Sequence, residues 1–216
     1  MQRRGSTLKG ITTLLLMVLN VCFWVPILMV VAIAKFVVPV EAWRRWTSRV
    51  MTALAEAWIS CNGMIFRLMR VLRLQVEGVA GLSPRDWYLV VSNHRSWVDI
   101  LVLQETFNHR IPFLKFFLKQ QLIYVPLLGI SWWALDFPFM KRHSANYLAR
   151  HPEKRGEDLA ATRKACERFA RIPTSIMNFV EGTRFTPAKC AAVKSPYQHL
   201  LPPRAGGIAF VIGAMG

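Results

Sequence analysis

Residues 88–100 read Tyr88-Leu89-Val90-Val91-Ser92-Asn93-His94-Arg95-Ser96-Trp97-Val98-Asp99-Ile100. The first four are aromatic, branched or aliphatic, with no alternation, as in a strand buried on both faces. The run stops at two small polar residues. Ser96 can then cap a helix whose first turn holds Asp99. A strand built this way delivers Asn93 and His94 to its carboxyl end, where sites form in α/β sheets. Working outward, Leu72–Val76 and Ser175–Val180 read as further strands, Phe137–Met140 as a weaker one, and Gly156–Arg171 as a helix. Strand-like and helix-like runs therefore alternate, which predicts an α/β domain.

The part before Leu72 has a different texture. No charged residue lies between Lys9 and Lys35. As a helix that run of about 25 residues would be ~37 Å long, enough to cross a bilayer core. Its length exceeds a signal-peptide core and no small-residue cleavage site follows, so it reads as a retained anchor with a kink at Pro26. Arg3, Arg4 and Lys9 precede it, and Lys35, Arg44, Arg45 and Arg49 follow it. Positive charge on both sides fits a single span and a kinked hairpin equally. Residues 41–72 repeat with a helical period. Trp43, Trp46, Val50, Leu54, Trp58, Cys61, Ile65, Leu68 and Leu72 share one face. Arg45, Arg49, Thr52, Glu56, Ser60, Gly63, Arg67 and Arg70 share the other. Tryptophans opposite arginines suit a membrane interface, and a helix packed on a soluble core is the alternative. The expected division is therefore an anchor with an interfacial helix over 1–72, and an α/β domain over 73–216. The last apolar run, Ile208–Met215, follows a turn punctuated by Pro202-Pro203 and Gly206-Gly207. It ends at Gly216 without a polar cap, as in a domain cut short at its C-terminus.

Composition supports a membrane setting. The chain has 216 residues, 28 Lys and Arg against 12 Asp and Glu, a net charge of +16, and 53% apolar residues. Charge and grease together argue against disorder. They suit an anionic surface, where each nearby Lys or Arg adds about 1 kcal/mol. Cys22, Cys61, Cys166 and Cys190 form no CxxC pair, and the histidines show no paired ligand spacing. Neither a zinc site nor a redox motif is expected.

Three segments can carry chemistry. In the first, His94 is a side chain able to act as a base near neutral pH. A carboxylate five residues on, Asp99, can hold one ring nitrogen and leave the other for a substrate hydroxyl. Taken alone, the pair is equally a structural histidine beside a helix-start aspartate. In the second, Ser175-Ile-Met-Asn-Phe-Val-Glu181-Gly182-Thr183-Arg184, a strand again ends in a small polar turn. Gly182 permits close backbone approach, Arg184 offers a planar fork suited to phosphate, and Glu181 can hold that arginine or a substrate hydroxyl. A plain turn with a salt-bridged arginine has the same appearance. The third, Phe139-Met-Lys141-Arg142-His143, sets two adjacent cations after a short strand, as a solvated basic loop would also do.

Together these segments resemble the lysophosphatidic acid acyltransferase family. The family's NHxxxxD motif matches Asn93-His94 through Asp99, and its EGTR motif matches Glu181-Gly182-Thr183-Arg184, in the same order and about 90 residues apart. Lys141-Arg142 falls where the family's intermediate phosphate motif is expected. Leu200-Leu-Pro-Pro-Arg-Ala-Gly-Gly207 looks like the stretch after EGTR in one branch. Asn93–Asp99, Phe117–Leu122, His151–Gly156 and Phe179–Thr186 look like the bacterial YihG-type branch. Two departures stand out. Val180 replaces the proline common before EGTR, and the family's last, proline-containing strand motif is not visible before Gly216.

The resemblance implies a glycerolipid acyltransferase fold, a mixed sheet with flanking helices. It implies transfer of a fatty acyl group from acyl-CoA or acyl-carrier protein to the sn-2 hydroxyl of 1-acylglycerol-3-phosphate, giving phosphatidic acid. His94 would be the base and Asp99 its orienter. Glu181, Gly182, Thr183, Arg184, Lys141 and Arg142 would form the acceptor site. No cofactor beyond the thioester co-substrate and no metal is implied. The partners would be membrane lipid, a lysophospholipid and the acyl donor, not nucleic acid. The setting would be the bacterial inner membrane, with the site facing the cytoplasm. Another lysophospholipid or glycerol 3-phosphate as acceptor is the nearest alternative. A non-catalytic basic module binding a membrane is the alternative of a different class.

Overall fold

The structure is a computed structural model, and it describes residues 2–141, 145–154, 160 and 173–215. The chain forms two compact units. The first comprises residues 1–81, 101–109 and 123–136, and the second 82–100, 110–122 and 137–216. The two units are thus interleaved along the chain.

In the first unit, α1 (Gln2–Val37) and α2 (Glu41–Met69) form an antiparallel pair. The uncharged run forms one continuous helix that contains Pro26, and it stops before Pro39, whose ring disfavours helical backbone at Val38. Three hydrogen bonds mark the length of the pair. Lys9 Nζ donates to the Arg70 carbonyl at 3.1 Å, Asn20 Nδ2 to Asn62 Oδ1 at 2.8 Å, and Trp43 Nε1 to the Ala34 carbonyl at 2.8 Å. α2 ends with Arg70 in the left-handed region (φ 47°), and the Val71 N–H reaches back to Phe66 O. That six-to-one bond is a Schellman closure made without glycine.

α2 buries Thr47, Met51, Ala55, Ile59, Asn62, Gly63, Ile65 and Phe66, of which Ile65 belongs to the apolar face read from the period. Small side chains at 47 and 55 allow close helix approach, and the Thr47 hydroxyl is satisfied by the Trp43 carbonyl at 2.8 Å. Trp46 and Leu68, on the apolar face read from the period, are exposed. The opposite face is occupied as well. Arg67 pairs with Glu105 at 2.5 Å, Asn108 Nδ2 donates to Ser60 Oγ at 2.9 Å, and the Glu105 carboxylate lies against Gly63, where a Cβ would stand. Residues 101–109 therefore sit on the helix side read as polar. Phe36 stacks on Trp133 at 5.0 Å and Lys35 pairs with Asp136 at 3.0 Å, which fixes the short helix Leu128–Ala134.

The second unit holds the sheet. β1 (Tyr88–Ser92), β2 (Leu114–Phe116) and β5 (Ser175–Phe179) lie in the order β1-β5-β2, with both pairings parallel. β3 (Leu118–Lys119) and β4 (Phe139–Met140) make a separate parallel pair. Central β5 buries Ser175, Ile176 and Met177. Beside it, Leu114, Phe116 and Phe137 build an apolar core, with Phe116 and Phe137 parallel at 6.4 Å. The helix following β1 is α3 (Val98–Phe107). Further along lie Ala145–Arg150, Pro187–Ala192 and the last helix, Ala205–Met215.

Leu72–Val76, expected as a strand, is irregular, with Leu74 and Val76 exposed and no ladder partner among the described residues. Alternation alone does not make a strand without a paired neighbour. Gly206-Gly207 lie inside the last helix rather than in a turn. The expected helix Gly156–Arg171 falls, apart from residue 160, outside the described residues.

Candidate active site

The register brings the two motifs together. Parallel pairing sets Ser92 of β1 beside Phe179 of β5. The Val180 N–H extends that ladder to the Ser92 carbonyl at 3.2 Å. Two residues past each strand, His94 and Glu181 meet, and the His94 N–H donates to Glu181 Oε1 at 2.9 Å. A further backbone bond, from Phe185 N–H to the His94 carbonyl at 2.7 Å, closes the contact between the loops.

His94 Nδ1 lies 2.9 Å from Asp99 Oδ2. An ionised carboxylate only accepts, so Nδ1 carries the hydrogen and Nε2 presents its lone pair. The imidazole lies flat against Phe179, with ring centroids 3.9 Å apart and 16° between planes. The orientation of the imidazole is therefore set by a hydrogen bond in its plane and by stacking on its face.

Asp99 is held in turn. Its Oδ2 also accepts the Arg95 N–H at 2.6 Å and the Ser96 N–H at 2.8 Å, and its Oδ1 accepts the Ser96 hydroxyl at 3.1 Å. Partial burial on its own pushes the carboxyl upward. The bonds from the Ser96 amide, His94, the Arg95 amide and the Ser96 hydroxyl outweigh it and hold Asp99 below the ordinary carboxylate range. Asp99 is thus held in its ionised form beside the imidazole. A carboxyl depressed on folding stabilises the fold above the ordinary carboxylate range, and that contribution fades as pH falls through the folded value. Asp99→Asn is expected to lower the thermal midpoint at pH 7, with the gap from the parent chain narrowing below about pH 4. Unfolding of the two full-length chains in one detergent, at both pH values, checks this. A gap that widened in acid would contradict the sign.

Glu181 is expected to hold Arg184 or a substrate hydroxyl. Its surroundings differ from that expectation. The residue is 1% exposed, its Oε1 accepts His94 N–H, and its Oε2 accepts the Leu201 N–H at 2.8 Å. Both oxygens serve main-chain donors, so the carboxylate is a bracket between the loop after β1 and the segment that begins at Leu201. Gly182 has φ +66°, its N–H closes a tight turn on the Phe179 carbonyl at 2.9 Å, and Thr183 Oγ1 accepts from Lys189 Nζ at 2.8 Å.

Arg184 is exposed, with its guanidinium carbon 4.8 Å from the centre of the Trp97 ring. Reciprocally, the Arg95 guanidinium lies over Phe185 at 5.5 Å. Each loop thus offers the other one cation and one aromatic face. Lys141 directly follows β4, in the two-stranded sheet, and is exposed, while Arg142 and its neighbour His143 lie outside the described residues. Trp97, Phe179 and Lys189 were not singled out from the sequence. An aromatic residue inside the polar stretch 92–99 is the one signal that pointed to Trp97.

Fold and site define a parallel-sheet α/β protein with an aspartate-held histidine at the carboxyl end of its strands. The comparison with known families gives the class a name. A family model described as Acyltransferase matches residues 73–213, and the chain belongs to that family. It is 25% identical over 131 residues to the 1-acyl-sn-glycerol-3-phosphate acyltransferase alpha of Ovis aries, a match covering 57% of this chain and 41% of that relative. The chain therefore spans less than half the length of that curated relative. Its fold is similar to the crystal structure of the 1-acyl-sn-glycerophosphate (LPA) acyltransferase PlsC from Thermotoga maritima. The TM-score is 0.51 at 18% identity, over 95% of this chain and 71% of that one.

Proposed function

We propose that this chain transfers a fatty acyl group from a thioester, acyl-CoA or acyl-carrier protein, to the sn-2 hydroxyl of 1-acylglycerol-3-phosphate, yielding phosphatidic acid. The observation that carries the reading is the 2.9 Å contact of His94 Nδ1 with Asp99, which turns Nε2 into an oriented base. Nε2 takes the hydroxyl proton as the oxygen attacks the thioester carbonyl. The C–O bond forms, the C–S bond breaks, and the departing thiolate takes the proton back from the imidazolium. Asp99 stabilises that imidazolium without itself being protonated. No acyl-enzyme and no metal enter the scheme.

Arg184 is assigned to the acceptor phosphate, with Lys141 and Arg142 as further cations. A charge-assisted hydrogen bond is worth about 1.5–3 kcal/mol. Arg184→Ala is therefore expected to raise the acceptor KM by about tenfold or more, with a smaller effect on the thioester KM. Initial rates with each substrate varied in turn measure both. An unchanged acceptor KM removes Arg184 from the phosphate site.

The setting we assign is a membrane, the cytoplasmic face of a bacterial inner membrane. Thr7–Val37 is a helix long and apolar enough to cross a bilayer, and Leu14, Leu15, Leu19 and Val30 on it are exposed. The net charge of +16 would concentrate anionic lipid and acidic donors near the site.

The test is a membrane-fraction assay with radiolabelled 1-acylglycerol-3-phosphate and oleoyl-CoA, repeated with acyl-carrier-protein donors. Labelled phosphatidic acid supports the reading. Product from glycerol 3-phosphate or another lysophospholipid alone would reassign the acceptor. Absence of transfer to every acceptor from every donor would overturn the enzyme reading and favour a basic lipid-binding module.

A further inference from the structure

Arg204 lies outside both motifs, yet the fold brings it to the turn that carries Arg184. Its main-chain N–H donates to the Val180 carbonyl at 2.7 Å, within the turn that the Gly182 N–H closes. Three residues earlier, the Leu201 N–H is held by Glu181. The segment is thus tied down at both ends. The Arg204 side chain then runs across Gly182. Its Cδ, Nε and Nη1 lie 3.2, 3.7 and 3.8 Å from the point where a Gly182 Cβ would stand. Gly182 therefore meets two needs at one position. Its φ of +66° favours glycine, and its bare face is the surface on which Arg204 rests.

The electrostatic situation of Arg204 is unusual. It is exposed and makes no ion pair among the described residues. The two carboxylates of the paired loops are already committed, Glu181 to two amides and Asp99 to His94 and its own loop. The same turn bears Arg184 over Trp97, and Lys189, whose Nζ is bonded to Thr183 Oγ1 and to the Arg184 carbonyl. Lys189 spends its hydrogen bonds inside the turn and so positions it. Arg204 does not, and its donors remain available at the edge of the site. Arg184 and Arg204 thus stand on one turn and on the segment tied to it, neither with an acidic partner among the described residues, and an anion bearing more than one charge can engage both.

We propose that Arg204 is a specificity-determining residue of the acceptor site, the second guanidinium on a phosphate monoester whose first is Arg184. The inference rests on the acyl-acceptor reading above and adds the selection rule. A phosphate monoester carries about −1.5 to −2 at pH 7. A phosphodiester headgroup carries one charge and has one non-bridging oxygen fewer. Arg204 therefore selects lysophosphatidate-type acceptors over lysophospholipids with a substituted phosphate. The same chemistry occurs in the 3′-phosphate of acyl-CoA, so the test separates acceptor from donor.

The experiment uses the full chain in mixed micelles, as the parent, Arg204→Gln and Arg204→Lys. The acceptors are 1-oleoylglycerol 3-phosphate, a monoester, and 1-oleoyl lysophosphatidylglycerol, a diester. The diester is read as a competitive inhibitor where it is not acylated. Oleoyl-CoA and the phosphate-free donor oleoyl-N-acetylcysteamine are compared. Arg204→Gln is expected to raise the monoester KM about tenfold and the diester constant less than threefold, with either donor. Arg204→Lys, which keeps the charge but not the fork, should fall between the parent and the glutamine variant. Equal weakening of both acceptors overturns the selection rule. A KM change confined to oleoyl-CoA, and absent with the phosphate-free donor, overturns the acceptor assignment. A parent chain that acylates no acceptor sinks the underlying reading, a failure visible without any variant.

Discussion

His94→Ala should lower acyl transfer by about 10²–10⁴-fold, the usual contribution of a positioned general base. The substitution removes the imidazole and little else. The main-chain bonds of residue 94, to Glu181 and from Phe185, do not involve the side chain and should persist. The face of Phe179 loses its stacked neighbour, a packing loss at a half-buried position rather than in the core. The expected signature is thus a collapse of kcat with unchanged far-ultraviolet circular dichroism. His94→Gln should be equally inactive, because an amide can occupy the ring's place but cannot accept and return a proton near neutral pH. Retention of more than a tenth of the parent rate by either variant would remove His94 from the proton path.

The second large effect is expected at Glu181, and it has a different character. Glu181→Ala leaves the His94 and Leu201 amides without their acceptor in a buried place. Each orphaned donor costs about 1–3 kcal/mol, so the fold should lose about 2–6 kcal/mol. Activity should fall together with stability, because the loop that bears the base loses its bracket. Glu181→Gln keeps one accepting oxygen and turns an NH2 toward the other N–H. It should therefore retain part of the stability and less of the activity. Denaturation midpoints of the three chains, set beside their kcat values, test the ranking. Full stability and full turnover in the alanine variant would contradict the bracket.

These two residues also show what was legible in the sequence. The strand Tyr88–Ser92 follows directly from its apolar run, and Ser175–Phe179 ends one residue short of expectation because Val180 lies in the turn that the Gly182 N–H closes on the Phe179 carbonyl. His94 and Asp99 could be paired on spacing alone, since five residues across a helix start is a local geometry. Glu181 could not be read the same way. Its partners are backbone amides, which leave no mark in a sequence, so reasoning from side chains offered only Arg184 or a substrate. Arg204 was hidden for a related reason, because its contact is with the absent side chain of a glycine. β2 and β3 lie in Leu114–Lys119, where apolar and polar residues keep no strict alternation and the strands span three and two residues. On α2 the helical period was legible, but which of its residues pack against other segments of the chain was not. Tryptophans carry more hydrophobic weight than Thr47 and Ala55, yet close helix contact favours the smaller residues.

The Asn20–Asn62 bond gives the helical pair a property its apolar surface lacks. A seam of aliphatic side chains is nearly self-similar, so one helix slipping a single turn, 5.4 Å along its neighbour, would still find grease against grease. With a polar amide on each helix, such a slip would strand two unsatisfied groups among apolar neighbours, at a penalty far larger than any gained contact. The pair thus works as an alignment pin. It adds little to the strength of the hairpin but excludes its near-copies, much as a lone asparagine selects one register in a coiled coil.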